Sequence, residues 1–190
     1  MPVIDHEPTG VPGYKLRAAR PDDAGSIAKV HIQTWLTTYR GLVSDRLLDQ
    51  MPSELDARTR TWQNRLADPG KWHLVVVEGP GGGVVGFCSA GPERRANPSF
   101  TAEVGIIYLM KEHQRRGVGR ALFRAAARLL KQDGHRSLLV WVLARNPSRR
   151  FYEELGGHPV EERQEEVRGE TRDEVAYGWD ETAFGRLSGE

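Results

Sequence analysis

A single cysteine, Cys88, stands among the 190 residues. One thiol excludes an intramolecular disulfide and any cysteine-based metal cluster. It fits a reducing compartment, so the expected location is the cytoplasm. Long apolar runs are missing too: the longest, Leu138 to Ala144, is far too short to span a bilayer. No basic-then-apolar pattern opens the sequence, so no secretory signal is read there. Neither sign of charge dominates: 27 Lys and Arg stand against 26 Asp and Glu, for a net charge of +1. That balance argues against binding nucleic acid or a membrane surface through bulk charge. The six histidines follow no metal-ligand spacing, and none has a Ser or Cys partner that would make a triad. No metal is expected.

What is present reads as one domain over residues 14–182, with a flexible leader at 1–13 and a tail at 183–190. Tyr14–Ala19 alternates like a strand, and Pro21-Asp22-Asp23 opens a helix carrying Ile27, Val30, His31, Thr34 and Trp35. A second helical stretch runs from Glu54 to Leu66. Strand-like runs follow at 72–78 and 84–89, joined by a glycine-rich connection, and a third covers 103–110. A long helix begins near Gly117 and stops at Asp133-Gly134. Leu138–Ala144 is a buried strand, Ser148–Leu155 a short helix and Arg172–Asp180 a last strand. Strands first, then alternation, predicts a mixed, mostly antiparallel sheet with helices on both faces, an α/β (α+β mixed) fold. Cys88 falls in a strand and reads as a small core residue.

The most informative segment is Gln114-Arg115-Arg116-Gly117-Val118-Gly119-Arg120, between a strand and a helix. Glycines at 117 and 119 let the backbone approach a ligand and adopt positive φ. Several N–H groups at the helix start then converge on one anion, helped by the helix dipole. From Lys111 to Arg136 there are eight bases and two acids. The excess is local, and its natural partner is a multiply phosphorylated ligand. A Walker loop is excluded because no Gly-Lys-Ser/Thr is present. A dinucleotide fingerprint lacks its third glycine, since Leu122 stands there, and its ribose acid.

This turn resembles the pyrophosphate-binding turn Gln/Arg-x-x-Gly-x-Gly/Ala of the GNAT superfamily of acetyltransferases. Two further segments agree in order. Glu103-Val-Gly-Ile-Ile-Tyr-Leu109 is similar to the family's Glu-x-x-x-x-Tyr-Val strand, and Phe151-Tyr152-Glu153-Glu154-Leu155-Gly156 to its Phe-Tyr-Glu-x-x-Gly helix. Val30-His31-x-x-Thr34-Trp35 with Tyr39-x-Gly41-Leu42 resembles the acceptor-side helix of one bacterial branch. Two places depart from the pattern. The family's Asn lies six residues before the Phe, but Arg145 holds that place and Asn146 is five away, so Asn146 is out of register. The family's Gly-Phe is Gly156-Gly157 here, which removes an aromatic near the substrate.

The resemblance implies acetyl-coenzyme A as cosubstrate and an amine, small or on a protein, as acceptor. It implies direct attack in a ternary complex and a possible homodimer. The cofactor would meet Ile107, Leu109, Gln114, Arg115, Arg116, Gly117, Val118, Gly119, Arg120 and Arg149. Chemistry needs a neutral amine, donors for the oxyanion and a proton for the departing thiolate. Glu103 is the candidate base, directly or through water, and Tyr152 the candidate acid. Trp35 and Tyr39 would wall the acceptor pocket. From Glu153 to Glu174 nine acids stand against three bases, Arg163, Arg168 and Arg172. They read either as a cleft favouring a cationic amine or as a solvated loop. Two other classes stay open: a non-catalytic acyl-CoA-binding module of the same fold, and an unrelated nucleotide-binding α/β protein.

Overall fold

The structure, a computed structural model, describes residues 4–167 and 169–189. Residues 1–3 of the leader, Arg168 and Glu190 lie outside that range. Eight strands form one sheet: β1 (Glu7–Pro8), β2 (Lys15–Ala18), β3 (His73–Glu78), β4 (Val84–Pro92), β5 (Ala102–Leu109), β6 (Leu138–Leu143), β7 (His158–Val167) and β8 (Glu170–Trp179). Their spatial order is β1-β2-β3-β4-β5-β6-β8-β7. Every neighbouring pair is antiparallel except β5 and β6, which run parallel. Helices are α1 (Ala24–Thr38), α2 (Asp45–Gln50), α3 (Leu55–Ala67), α4 (Val118–Gln132), α5 (Arg149–Glu154) and α6 (Glu181–Ser188). No helix among the described residues is long and apolar enough to cross a membrane.

The sheet is covered on both faces, as the strand and helix pattern predicts. On one face Ile27, Ala28 and Val30 of α1 and Trp62 of α3 pack on Val76 and Phe87. On the other, Leu122, Phe123, Ala126 and Leu130 of α4 pack on Val75, Cys88 and Val140, joined by Phe184 and Leu187 of α6. Cys88 is fully buried, and burial pushes its thiol up. Local chemistry sets the helix ends. The Ser44 hydroxyl accepts the Leu47 N–H to cap α2, and Asp180 accepts the Ala183 N–H to cap α6. Gly134, at φ 88°, turns the chain after α4.

Both ends depart from expectation. The leader, over its described residues, is not loose: β1 pairs with β2, Ile4 is buried, and Arg128 of α4 holds Glu7 at 2.6 Å. Residues 181–188 form α6 rather than a tail. Burying Phe184 and Leu187 favours docking of this segment by about 1.5–3 kcal/mol each, and the Asp180 cap and helix hydrogen bonds add to it. The acid-rich stretch is not a loop; it builds β7 and the start of β8, a ten-residue-per-strand hairpin.

Two details of β5 position the site. Its register with β4 skips Gly105, with Ala90 opposite Val104 and Ser89 opposite Ile106. This bulge turns Ile106 and Tyr108 toward α1 and leaves Ile107 and Leu109 on the α4 side. At the same point β5 leaves β6: pairing stops after Val104 with Val140. The Met110 N–H donates to the Val85 carbonyl at 2.9 Å, so Leu109 and Gly86 oppose without bonding each other. By alternation the same holds for Ile107 and Cys88. The peptide groups of Ile107 and Leu109 therefore face the gap left by β6.

Candidate active site

The gap opens into a cavity of about 830 Å³ that runs from the start of α4, past the diverging strands, to the C-terminal half of α1. One end of it is the turn at 114–120. Gln114 donates from Nε2 to the Leu109 carbonyl at 2.8 Å, tying the turn to the strand end. Gly117 sits at φ 87°, where a side chain would be strained, and passes the chain into α4. Gly119 does not use positive φ. A Cβ there would only touch the Phe151 ring at 3.6 Å. Gln114, Arg115, Gly117, Gly119 and Arg120 line the cavity. Arg116 and Val118 do not: Val118 is a core side chain, and Arg116 is exposed. Either can contribute only its backbone.

In the middle stand Ile107, Leu109, Asn146, Phe151 and Tyr152. Tyr152 is 7% exposed, packed against Phe123, Phe151, Tyr177 and Trp179. Burial pushes its phenol up, and among the described residues no group bonds its hydroxyl. Asn146 lines the cavity in spite of the shortened loop, while its Oδ1 accepts the Ser148 N–H at 2.9 Å and so starts α5. The absent aromatic at 157 is replaced from elsewhere: the Trp179 ring fills the space a Cβ at Gly157 would enter, at 2.5 Å.

The far end is an aromatic box. Trp35 donates from Nε1 to the Tyr108 hydroxyl at 2.9 Å and stacks on Tyr39 with centroids 4.7 Å apart. Tyr39 meets Tyr108 edge-on at 6.5 Å. From the sheet come Trp141, whose ring is covered by Arg163 at 3.7 Å, and Arg172 and Glu174 of β8. Ser44, ahead of α2, gives its hydroxyl to Glu170 and joins the hairpin tip to the loop after α1.

Two further expected residues, Glu103 and Arg149, also fall outside the lining. Glu103 lies below the bulge, in the paired part of β5, and is 3% exposed. Arg94 engages both of its oxygens, so it makes no direct contact with the cavity. Arg149 turns away from the lining and donates to Tyr177 Oη at 3.0 Å and the Ala144 carbonyl at 2.8 Å. Tyr108, Thr34, Trp141 and Arg172 do line the cavity, and sequence reasoning assigned them no role there. Tyr108 carried a signal in its place in the strand motif, and Thr34 in its place in the acceptor-side helix motif. Among the described residues no group of three His, Cys, Asp or Glu is placed to hold a metal.

The sequence model of the acetyltransferase (GNAT) family matches residues 35–157. The chain belongs to this family. It is 35% identical over 165 residues to the uncharacterized N-acetyltransferase YuaI of Bacillus subtilis, covering 86% of this chain and 91% of that one. It is 31% identical to phosphinothricin N-acetyltransferase of Streptomyces viridochromogenes, over 48% of this chain and 49% of that one. Among solved structures, the PaiA N-acetyltransferase of Thermoplasma acidophilum, in complex with coenzyme A, shares the fold. The TM-score is 0.65 at 16% identity, over 88% of this chain and 98% of that one. A GCN5-related N-acetyltransferase from Rhodopseudomonas palustris matches at a TM-score of 0.70 and 18% identity, covering 90% and 97%. The GNAT fold places the diverging pair β5 and β6 at the centre of the sheet in this family member.

Proposed function

We propose that the protein transfers the acetyl group of acetyl-coenzyme A to an amine by direct attack in a ternary complex. One observation carries this reading: a single cavity joins an anion-binding helix start, a backbone-lined gap and a walled pocket. The first suits the pyrophosphate. Arg115 and Arg120 supply charge, and the N–H groups of Val118, Gly119 and Arg120 precede the first intrahelical bond, from the Ala121 N–H to the Gly117 carbonyl. The gap suits the pantetheine arm, which takes the place of the missing strand pairing along Ile107 and Leu109. A backbone N–H there becomes the donor for the oxyanion that forms when the amine attacks the thioester carbonyl.

Tyr152 is the donor for the departing thiolate. It lines the middle of the cavity, and its raised pKa keeps the proton on at neutral pH. The carboxylates in the lining are held by other groups: Glu174 by Arg163 at 2.7 Å and Glu154 by Arg150 at 3.0 Å. The amine therefore loses its proton to water; Glu103, whose two oxygens are both engaged by Arg94, is not the base. The relatives named as N-acetyltransferases support an amine acceptor.

Calorimetric titration tests the reading. Acetyl-CoA is expected to bind in the micromolar range and NAD to bind far more weakly. Gly117→Glu places a strained, negative residue at the anion site and is expected to raise the acetyl-CoA Kd at least about tenfold with the circular dichroism unchanged. Equal binding of NAD, or no effect of the substitution, would overturn the assignment.

A further inference from the structure

The acids between Glu153 and Glu174 suggest a cleft for a cationic amine, but several of them are engaged by other side chains. Glu165 is taken by Arg95, Glu174 by Arg163, Asp173 by Gln164 and Glu153 by Tyr177. What the acceptor end retains is a cation. Arg172 is 9% exposed and lines the cavity, yet its Nε is shut from water with no acceptor. Among the described residues its anionic partner is Glu170, at 3.5 Å, well beyond the reach of a strong charge-assisted bond. Glu170 is itself engaged by the Ser44 hydroxyl.

Arg17 provides the comparison within the same molecule. It is 6% exposed, but its guanidinium is saturated: Nε on Glu78, Nη1 and Nη2 on Asp23, and Nη1 again on the Ala18 carbonyl. Arg17 is a guanidinium held for structure, with every nitrogen engaged. One left short of acceptors carries a desolvation cost that a ligand can offset. A second orphan lies at the same end: Thr34, 4% exposed, lines the cavity with its Oγ1 unpartnered. Both flank Trp35, whose ring centroid is 5.9 Å from the Arg172 guanidinium carbon.

We propose that Arg172, with Thr34 beside it, receives an anionic group of the acceptor, so that the substrate is a small molecule bearing both an amine and a carboxylate. This rests on the acetyl-transfer reading above. The aromatic box then holds the body of the acceptor between the two polar ends. A guanidinium opposite the carboxylate also orients the amine toward the thioester, because the bidentate pair fixes direction as well as position.

The test compares kcat/KM for a panel of L-amino acids, the matching amino amides and an aliphatic diamine. The wild type is expected to favour acids over amides by about 10- to 100-fold. Arg172→Gln is expected to erase that preference, Arg172→Lys to restore part of it, and Thr34→Val to weaken it. A wild-type preference for amides or for the diamine overturns the proposal, as does unchanged discrimination in Arg172→Gln. If no amine is turned over, the same probes are added to the protein with coenzyme A and thermal melting is followed. Carboxylate probes must then raise Tm more than their amides, and only when Arg172 is present; otherwise the proposal fails. Calorimetric acetyl-CoA binding separates the two claims. Its absence in the wild type sinks the transfer reading, whereas normal binding by Arg172→Gln shows a folded variant altered only at the acceptor end.

Discussion

Tyr152 is the residue on which proton delivery is expected to turn. Its ring is fixed by four aromatic neighbours, so Tyr152→Phe keeps the packing and removes only the hydroxyl. We expect kcat to fall about 100-fold with the acetyl-CoA Kd nearly unchanged, read by steady-state kinetics and calorimetry. The sign of the pH effect follows from burial, which disfavours the phenolate and raises the pKa. The donor form thus persists above the ordinary phenol value of about 10. The alkaline limb of the kcat profile is expected to show no loss from this group up to that pH. The turn residues Gln114, Gly117 and Gly119 were legible because turn chemistry is local and leaves a spaced signature. Thr34 was legible only as a member of the acceptor-side helix motif, and Arg172 not at all. Their interest lies in partners they lack, and a missing partner becomes visible only when β8 and α1 are brought together. Glu103 shows the reverse: its motif position was readable, but its neutralisation by Arg94, on the connection from β4 to β5, was not.

At the level of elements, Gly157 explains how a departure from the family pattern is absorbed. Trp179, the last residue of β8, is fully buried and donates from Nε1 to the Leu155 carbonyl at 3.0 Å. Its ring occupies the space beside Gly157, so the site is refilled rather than loosened. Gly157→Ala is expected to destabilise the fold by about 1–3 kcal/mol, measured as a lower urea midpoint with an unchanged m-value. Long periodic elements such as α1 and α4 were legible, since a buried stripe repeats along the sequence. The elements at the ends were not. A two-residue β1 and an eight-residue α6 are held by what they dock on, Arg128 and the α4 core, and not by any pattern of their own. β7 was hidden because exposed charge is what an edge strand carries against unwanted pairing.

At the scale of the whole molecule, the flank formed by β2, β3 and the start of α1 is clipped by one ionic cluster. Arg17 joins Asp23 at 2.6 Å and Glu78 at 2.7 Å. Burial pushes the Asp23 carboxyl up, but hydrogen bonds from Arg17 and the Arg20 N–H outweigh it, and the pKa lies below its ordinary value. A depressed carboxyl adds stability above the unfolded value of about 3.9, and that stability is lost as pH falls through the folded value. Asp23→Asn is expected to cost about 2–3 kcal/mol at pH 7 and to flatten the acid side of the stability profile, followed by denaturant melts from pH 7 to pH 3.

The same scale gives the seam between β5 and β6 a further meaning. The two halves of the sheet share three residue pairs, and beyond Val104 each presents an open margin to the other. Open sheet margins are where foreign strands add and where aggregation begins. The proposed pantetheine arm along Ile107 and Leu109 would therefore also cover exposed backbone, and the protein with an empty cleft is expected to self-associate more readily, which light scattering with and without acetyl-CoA would read.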